Sequence, residues 1–391
     1  MRDVIIVGAG PGGSAAAKYL AEKGYDVALY EKRQEIGAPK RCAEGFSLAG
    51  AKEFNLDLPK NCIRQKINSS RVYSPNGNFV EINYEVDGGC ILERKVFDKW
   101  LVEEAVRKGA KVQAKTTITG LLKENGKVVG VKGEFFGEKF EERCKMLIAS
   151  DGIESKISRM AGLNTACNPN LVDSGVQFEM AGIDIEDQKK IYLYFGNEIA
   201  PGGYCWVFPK GKDIANVGIG VLGRNNLPAI KYLEKFIESK KELKKGSILE
   251  VNSGGIPVGG LLQKMTLDNF LVVGDAAHQV NPIHGGGLYE AQFAGRIAAE
   301  AVDEALKRGD TSEKQLSKYN KEWWEQRGNH LRNVEKLKEV FKKLSDEDLN
   351  FLSENLKGNN LADFCEGINL KFFGKLLMKR PHLIKFAKSL F

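Results

Sequence analysis

The first thirty residues alternate between apolar runs and a turn rich in glycine. Residues 4–7 form an apolar, β-branched run, residues 15–23 have a helical composition, and residues 25–30 are again mostly apolar. Such runs are typical of a strand, a helix and a second strand. We therefore predict a βαβ unit at the start of the chain.

The pattern changes after this unit. Residues 33–59 contain Gly, Pro and Cys without periodicity, which indicates a long segment lying over a ligand. A helix is predicted over residues 96–108, with Phe97, Leu101 and Ala105 on one face. Residues 112–140, with turns at Asn125-Gly126 and Phe136-Gly137, predict a β-meander, and residues 146–150 a buried strand.

The second half of the chain begins with strands and ends with helices. Residues 172–257 are rich in strand-forming positions around one helix, 229–240, and the apolar run 270–275 returns to the first sheet. A long helix over 287–307 precedes a helical, lysine-rich C-terminus.

Composition and charge exclude several classes of protein. The chain has 391 residues, and its 58 basic and 51 acidic residues give a net charge of +7 without a basic arm for nucleic acid. The seven cysteines form no zinc pattern and no disulfide framework, which favours a reducing, cytoplasmic setting. No stretch approaches the roughly 20 apolar residues of a spanning helix. We expect a soluble protein or one bound at the inner face of the cell membrane.

The glycine-rich turn carries the first chemical signal. Gly8, Gly10, Gly12 and Gly13 follow a strand and open a helix, an arrangement in which backbone amides approach a pyrophosphate. Glu31 ends the second strand, where an acidic residue accepts hydrogen bonds from ribose hydroxyls. This pairing predicts a dinucleotide site and disfavours a 2′-phosphate.

Three further segments extend this site beyond one βαβ unit. Residues 91–94 end in Arg94, residues 147–152 end in Asp-Gly, and residues 271–278 contain Gly274-Asp275. Their order resembles that of the para-hydroxybenzoate hydroxylase-type flavoprotein superfamily, in which the second aspartate holds the ribityl chain. The resemblance implies FAD as the cofactor. It also implies that the Gly-rich start of the helix at residue 287 faces the flavin pyrimidine edge, where amides and the helix dipole stabilise negative charge. His278 is interpreted as structural, and His284 as a loop histidine.

Two local segments narrow the family. Residues 39–45 (PKRCAEG) and residues 204–209 (YCWVFP), with Gly218 nine positions later, resemble the geranylgeranyl reductase family, which includes archaeal digeranylgeranylglycerophospholipid reductases. The likeness extends over residues 1–309. It implies a set of FAD contacts, namely Gly12, Glu31, Cys42, Ala43, Gly45, Arg94, Ile118, Asp275, Gly287 and Leu288. Ile118, placed at the end of a strand, would meet the adenine through its backbone.

The resemblance implies reduction of carbon–carbon double bonds in the geranylgeranyl chains of a prenylated glycerophospholipid. Tyr204, Trp206 and Phe208 would wall an apolar tunnel, with Cys205 and Val207 on the other side of the strand. Cys42, Tyr204 and water are the candidates for the proton donor, and Cys42, Tyr204 and Trp206 are the predicted catalytic residues. Reduced ferredoxin and NAD(P)H are equally compatible electron donors.

Two alternatives remain open from the sequence. The first is a flavin monooxygenase or halogenase of the same superfamily. Residues 285–288 of this chain depart from the usual hydroxylase segment, and residues 204–209 depart from the halogenase segment. A prenyl-chain binding module like the GDP dissociation inhibitors would lack the FAD motifs. The C-terminal segment 372–391 interleaves apolar and basic residues, which is compatible with a helix on an anionic lipid surface and with a docking helix whose basic face is solvated.

We expect an α/β fold with three parts. Residues 1–170 and 258–310 would form a discontinuous, Rossmann-like FAD-binding domain, and residues 171–257 a β-rich substrate domain. Residues 311–391 would form a helical C-terminal region.

Overall fold

A computed structural model describes residues 1–84, 88–223 and 226–384. Its strands, in chain order, are β1 Arg2–Val7, β2 Val27–Tyr30, β3 Gly45–Ser47, β4 Ile63–Ile67, β5 Ser69–Tyr73, β6 Phe79–Asn83, β7 Gly89–Leu92, β8 Lys111–Gln113, β9 Thr116–Glu124, β10 Lys127–Phe135, β11 Glu138–Ala149, β12 Val172–Ala181, β13 Lys190–Tyr194, β14 Tyr204–Pro209, β15 Ile214–Leu222, β16 Ser247–Pro257, β17 Thr266–Leu267 and β18 Phe270–Val272. The α-helices are α1 Pro11–Glu22, α2 Leu48–Glu53, α3 Arg94–Arg107, α4 Lys156–Ala161, α5 Ala229–Glu238, α6 Lys241–Lys244, α7 Leu288–Arg308, α8 Glu313–Trp323, α9 Asn329–Phe341, α10 Asp346–Asn355, α11 Gly358–Cys365 and α12 Leu370–Leu377.

The first sheet places β1 at its centre. Its order is β17-β18-β11-β1-β2-β8, and β1 pairs in parallel with both β11 and β2. All four residues of β2 are buried, as expected for a parallel strand covered on both faces. Helices α3 and α7 pack against α1 on one side of this sheet. The predicted βαβ unit is therefore confirmed.

The β-meander is confirmed, but its last strand is longer than predicted. The turns at Asn125-Gly126 and Phe136-Gly137 have positive φ at both residues, as a tight hairpin requires. The sequence analysis separated the meander from a buried strand at residues 146–150, whereas β11 is continuous. Its first half pairs with β10 and its second half with β1, because the buried residues 146–149 simply extend the ladder.

The segment 33–59 is more ordered than the sequence predicted. It contains the short strand β3 and the helix α2, whose N-cap Ser47 accepts a hydrogen bond from the Gly50 amide. These elements are too short to produce a periodic pattern. β3 pairs with β7, which in turn pairs with β4, in a small third sheet.

The second large sheet has seven strands in the order β16-β12-β15-β14-β13-β5-β6. Five of them come from residues 172–257, the predicted substrate domain, and β5 and β6 come from residues 69–83. One face packs on α5 in an apolar cluster that contains Phe178, Leu233 and Phe236. The other face turns toward the first sheet. The boundaries of the three predicted domains stay a prediction.

The C-terminal helices form a separate apolar cluster. Phe373, Leu376 and Leu377 of α12 are buried in it, while Lys371 and Lys375 of the same helix are exposed. This arrangement is that of a packed helix with a solvated basic face. The end of the predicted lipid-facing segment, residues 385–391, lies outside the described residues, and membrane contact stays a prediction. Across the described parts of the chain, no helix is long and apolar enough to span a bilayer.

A buried ion pair fastens this helical region to the seven-stranded sheet. The Lys338 Nζ atom of α9 lies 3.2 Å from the Asp173 Oδ2 atom of β12, and the two residues are only 2 % and 5 % exposed. Burial raises the pKa of the Asp173 carboxyl, and Lys338 opposes this effect. The pair therefore depends on both of its members.

We expect Lys338→Met to destabilise the protein by about 3–5 kcal/mol at neutral pH, because it leaves a buried carboxylate without its partner. Since the raised pKa favours the protonated carboxyl in the folded state, this loss should shrink as the pH falls toward the range where Asp173 takes up a proton. Urea unfolding at neutral and mildly acidic pH measures both effects. The double variant Lys338→Met/Asp173→Asn is the control and should recover most of the lost stability; an equal loss in the single and double variants would contradict the interpretation.

Candidate active site

A cavity of about 1240 Å³ lies between the two large sheets. At one end it is lined by the glycine-rich turn after β1, and at the other by the inner face of the seven-stranded sheet. All the predicted cofactor-binding and catalytic residues line it except Gly13. A Cβ atom at Gly13 would lie 2.0 Å from the Gly8 carbonyl oxygen, so this glycine serves the tight turn instead of the cavity wall.

The N-terminus of α1 is open toward the cavity. Gly10 is the N-cap and offers no side chain to the free amides of the first turn. Gly8, Gly10 and Gly12 line the cavity at this point. Free amides at a helix N-terminus fit the pyrophosphate of a dinucleotide.

Glu31 lies beside this turn in a fixed orientation. Its Oε2 atom accepts a hydrogen bond from the Ala9 amide at 3.0 Å, and its Oε1 atom accepts one from the Arg33 amide at 2.9 Å. Each carboxylate oxygen has a second lone pair that remains available to a hydroxyl group. The geometry fits the predicted contact with a ribose.

Asp275 and Arg94 occupy the middle of the cavity wall. Burial raises the pKa of the Asp275 carboxyl, and the neighbouring Arg94 and His278 oppose this effect. Arg94 is held by two hydrogen bonds of 2.8 Å from Nε and Nη2 to the carboxylate of Asp98. A partly buried acid of this kind fits hydroxyl groups better than a second anion.

Gly287 is the N-cap of α7 and has no side chain to cover the helix start. A Cβ atom there would lie 3.3 Å from the Asp275 Oδ1 atom. Leu288 opens the helix and lines the same cavity. Ile118 lies at the third position of β9 and not at the end of a strand as predicted, because β9 begins only at Thr116. Its place in the cavity wall is unaffected.

The segment that carries Cys42 crosses from the first sheet to the second. The Cys42 Sγ atom accepts a hydrogen bond from the Glu44 amide at 3.2 Å. Glu44 has a φ of 75°, a left-handed conformation that is costly for a residue with a side chain. Such a conformation persists only where the surroundings hold it.

Buried ion pairs beneath this segment stabilise the left-handed conformation of Glu44. The Glu44 Oε2 atom lies 2.7 Å from the Lys210 Nζ atom and 3.3 Å from the Lys40 Nζ atom, and all three residues are at most 2 % exposed. Lys210 also contacts Glu179 of β12 at 2.8 Å. Burial alone would raise the pKa of Glu179, but Lys210 and Lys40 lower it to about 2. We call Lys40, Glu44, Glu179 and Lys210 the charged anchor.

The inner face of the seven-stranded sheet changes from polar to apolar along one row of paired residues. Asn252, Gln177, Gly218, Trp206 and Leu193 are neighbours in this row, on β16, β12, β15, β14 and β13. The polar half faces the Cys42 segment, where Gln177 contacts Cys42. The apolar half lines the cavity.

Trp206 lies flat on the sheet. A Cβ atom at Gly218 would come within 2.4 Å of the indole ring, so only glycine leaves room for the ring there. Tyr204 and Phe208 flank Trp206 on the same face and line the cavity, while Cys205 and Val207 are buried in the cluster on the opposite face. The predicted alternation of β14 is confirmed.

The far end of the cavity is lined by the C-terminal helices. Phe341, Leu349, Leu352 and Phe364 line it there, together with Tyr73 of β5. The sequence analysis predicted only a helical region here and did not predict that it lines the cavity.

Tyr204 joins the apolar wall to the glycine-rich loop before α7. Its hydroxyl group donates a hydrogen bond to the His284 carbonyl oxygen at 2.6 Å, and burial raises its pKa. The His284 Nδ1 atom accepts a hydrogen bond from the Gly286 amide at 3.0 Å, as expected of a loop histidine. His278 is buried, with Nδ1 at 2.7 Å from the Gly260 carbonyl oxygen.

Sequence reasoning missed the polar residues under the Cys42 segment. Gln177 and Glu179 alternate with Phe178 and Met180 along β12, a pattern that usually indicates one face in water. Here the polar face is covered by the Cys42 segment. A signal in the sequence could have predicted the burial of Gln177 and Glu179. The neighbouring strands β14 and β15 consist mostly of apolar positions, which leaves little of this sheet exposed to water.

Comparison with known proteins agrees with this geometry. Residues 172–256 match the family profile of the geranylgeranyl reductase catalytic domain, and residues 6–66 match that of an NAD(P)-binding Rossmann-like domain. Proteins named digeranylgeranylglycerophospholipid reductase are similar over the full length. The one from Methanocella arvoryzae is 43% identical over 98% of this chain and 97% of its own, and the one from Methanocaldococcus jannaschii is 42% identical over 99% and 98%.

Solved structures show the same fold. A geranylgeranyl bacteriochlorophyll reductase-like protein from Thermoplasma acidophilum has a TM-score of 0.91 at 35% identity and covers 100% of this chain and 99% of its own. A flavin-dependent brominase has a TM-score of 0.73 at 20% identity, with 94% of each chain covered, and shares the fold alone. The chain belongs to the geranylgeranyl reductase family of FAD-dependent oxidoreductases, together with the digeranylgeranylglycerophospholipid reductases.

Proposed function

We propose that this protein binds FAD and reduces carbon–carbon double bonds in the geranylgeranyl chains of digeranylgeranylglycerophospholipids. The observation that carries the proposal is the single cavity that joins a nucleotide-type turn to an apolar wall. A site for a charged substrate would place polar groups on that wall. Here Ile191, Leu193 and Trp206 leave only an apolar chain as a suitable occupant.

The residues around the cavity support FAD rather than a nicotinamide dinucleotide. Gly10 and Glu31 suit the ADP half, as in many dinucleotide proteins. Asp275 and the open start of α7 at Gly287 lie farther along the same cavity and suit a ribityl chain and an anionic ring edge. When bound, reduced FAD would supply the hydride that adds to one carbon of the alkene.

The other alkene carbon needs a proton. Cys42 and Tyr204 both line the cavity, and water is the third candidate. The Tyr204 hydroxyl is engaged with the His284 carbonyl oxygen, and its raised pKa makes it a weak acid. A thiol whose sulfur accepts a hydrogen bond, as that of Cys42 does from the Glu44 amide, can still act as a donor. These contacts favour Cys42 over Tyr204 as the donor.

The protein's main contributions are orientation and exclusion of water. Trp206 on its glycine support offers a rigid face to the chain, and the C-terminal helices line the far end. Holding the alkene beside a hydride donor accelerates the reaction, since the reacting atoms must lie about 3–3.5 Å apart and in the right orientation. The electrons would come from reduced ferredoxin or NAD(P)H. The protein would reach its lipid substrate by contact with the inner face of the membrane.

The direct test is anaerobic mixing of photoreduced holoprotein with digeranylgeranylglycerophospholipid. We expect the flavin absorbance to return as the lipid gains two hydrogens for each reduced bond, measured by mass spectrometry. The fully saturated lipid is the control and should leave the flavin reduced. A flavin that stays reduced with the unsaturated lipid would contradict the proposed function.

Glu31→Ala should weaken FAD binding, because it removes hydrogen bonds to a charged acceptor that are worth about 1.5–3 kcal/mol. This corresponds to a loss of about tenfold or more in affinity. Flavin titration of the apoprotein measures it. Glu31→Gln retains one acceptor oxygen and should lie between the variant and the wild type, whereas unchanged FAD affinity in Glu31→Ala would refute the ribose contact.

Trp206→Ala should slow reoxidation of the reduced flavin by lipid on the order of a hundredfold, because a misplacement of about 1 Å costs that much. Photoreduction and the flavin spectrum should stay unchanged. Phe178→Ala is the matched control. Phe178, on β12, is buried like Trp206 but packs on the opposite face of the sheet. Both variants should lose stability by about 3–5 kcal/mol, and stopped-flow rates on the remaining holoprotein separate them; normal lipid turnover by Trp206→Ala would exclude the tunnel wall.

A further inference from the structure

Gln177 makes two hydrogen bonds that connect the apolar wall with the Cys42 segment. Its Oε1 atom accepts a hydrogen bond from the Trp206 indole Nε1 at 2.9 Å, and its Nε2 atom donates one to the Cys42 carbonyl oxygen at 3.1 Å. An indole N–H only donates and a carbonyl oxygen only accepts, so the orientation of the amide follows from its two partners. Gln177 is 3 % exposed, which makes both bonds costly to lose.

The Trp206 end of this connection is rigid. The ring lies against Gly218, and Tyr204 and Phe208 pack beside it. The indole nitrogen therefore has a fixed position, from which it holds the Gln177 amide. A chain lying on the indole face would therefore contact a ring that is connected to the Cys42 segment through Gln177.

The Cys42 end has neighbouring attachments of a different kind. Asn216 of β15 donates from Nδ2 to the Ala43 carbonyl oxygen at 3.2 Å, and the two lysines of the charged anchor hold the Glu44 carboxylate. These contacts fix the segment to the sheet. The hydrogen bonds of Gln177 add a link from Cys42 itself to Trp206, which faces the cavity.

We propose that Gln177 is a positioning residue that sets Cys42 relative to a chain lying on Trp206. This inference rests on the proposed function for its substrate. It assigns no chemistry to Gln177, which acts through Cys42 and Trp206. The amide must both accept and donate, so neither an apolar side chain nor a carboxylate replaces it.

The test uses the holoprotein and three variants. Gln177→Met keeps the length of the side chain and removes both hydrogen bonds, and Gln177→Glu keeps an acceptor for Trp206 but no donor for Cys42. Asn252→Leu is the matched control, since Asn252 is paired with Gln177 on β16 and is likewise buried, at 4 % exposure. All three should bind FAD and photoreduce like the wild type.

We expect both Gln177 variants to reduce the limiting rate of flavin oxidation at saturating lipid by about tenfold or more, whereas the lipid concentration at half-maximal rate changes less. Asn252→Leu should match the wild type in rate even where its melting temperature falls. Trp206→Phe combined with Gln177→Met should be no slower than the slower single variant, because the two residues act as one unit. Wild-type rates in Gln177→Met, a loss no greater than that of Asn252→Leu, or additive losses in the double variant would each overturn the proposal.

A second measurement does not depend on lipid turnover. Alkylation of Cys42 by iodoacetamide, followed by peptide mass spectrometry, should change severalfold in both Gln177 variants and stay unchanged in Asn252→Leu. If wild-type holoprotein failed to reduce the lipid, the proposed function would fall while this result still decided whether Gln177 positions Cys42. Equal alkylation rates in all the proteins would overturn the positioning role.

Discussion

The contact on which the site depends is the buried ion pair between Lys210 and Glu44. Neither side chain reaches water, and each is costly to bury without the other. The pair joins the segment after the first βαβ unit to the strand that carries Trp206. It therefore holds together the two surfaces between which the cavity lies, two residues from Cys42 in the chain.

The inner face of the seven-stranded sheet contacts two different groups, because its side chains change from polar to apolar from one edge toward the other. Glu179, Gln177 and Asn216 form a polar region that satisfies the backbone and side chains of the Cys42 segment. Trp206 and Leu193 continue the same face as an apolar wall. The glycine at position 218 marks the transition, since it lets an aromatic ring reach back to the polar side.

Much of this arrangement was predictable from the sequence, because local rules govern it. The βαβ unit, the two hairpin turns and the alternation of β14 each depend on residues close in the chain. β3 and α2 were missed because elements of three and six residues leave no periodic signal. The place of β5 and β6 in the second sheet was missed because pairing of Ser69–Tyr73 with Lys190–Tyr194 joins strands more than a hundred residues apart. Gln177 was missed for a related reason, since its polar face is buried only by a distant segment.

The membership of β5 and β6 in the seven-stranded sheet bears on how this enzyme family can be recombined. The region that matches the catalytic-domain profile, residues 172–256, holds β12 to β16 but not the two strands that complete the apolar wall. Cut out alone, it would expose the edge of β13, which normally pairs with β5. A chimera made by exchanging that region between relatives would receive one side of the apolar wall from one parent and the other side from the second. The two sides of the wall would then come from the same parent only if residues 69–83 were exchanged as well.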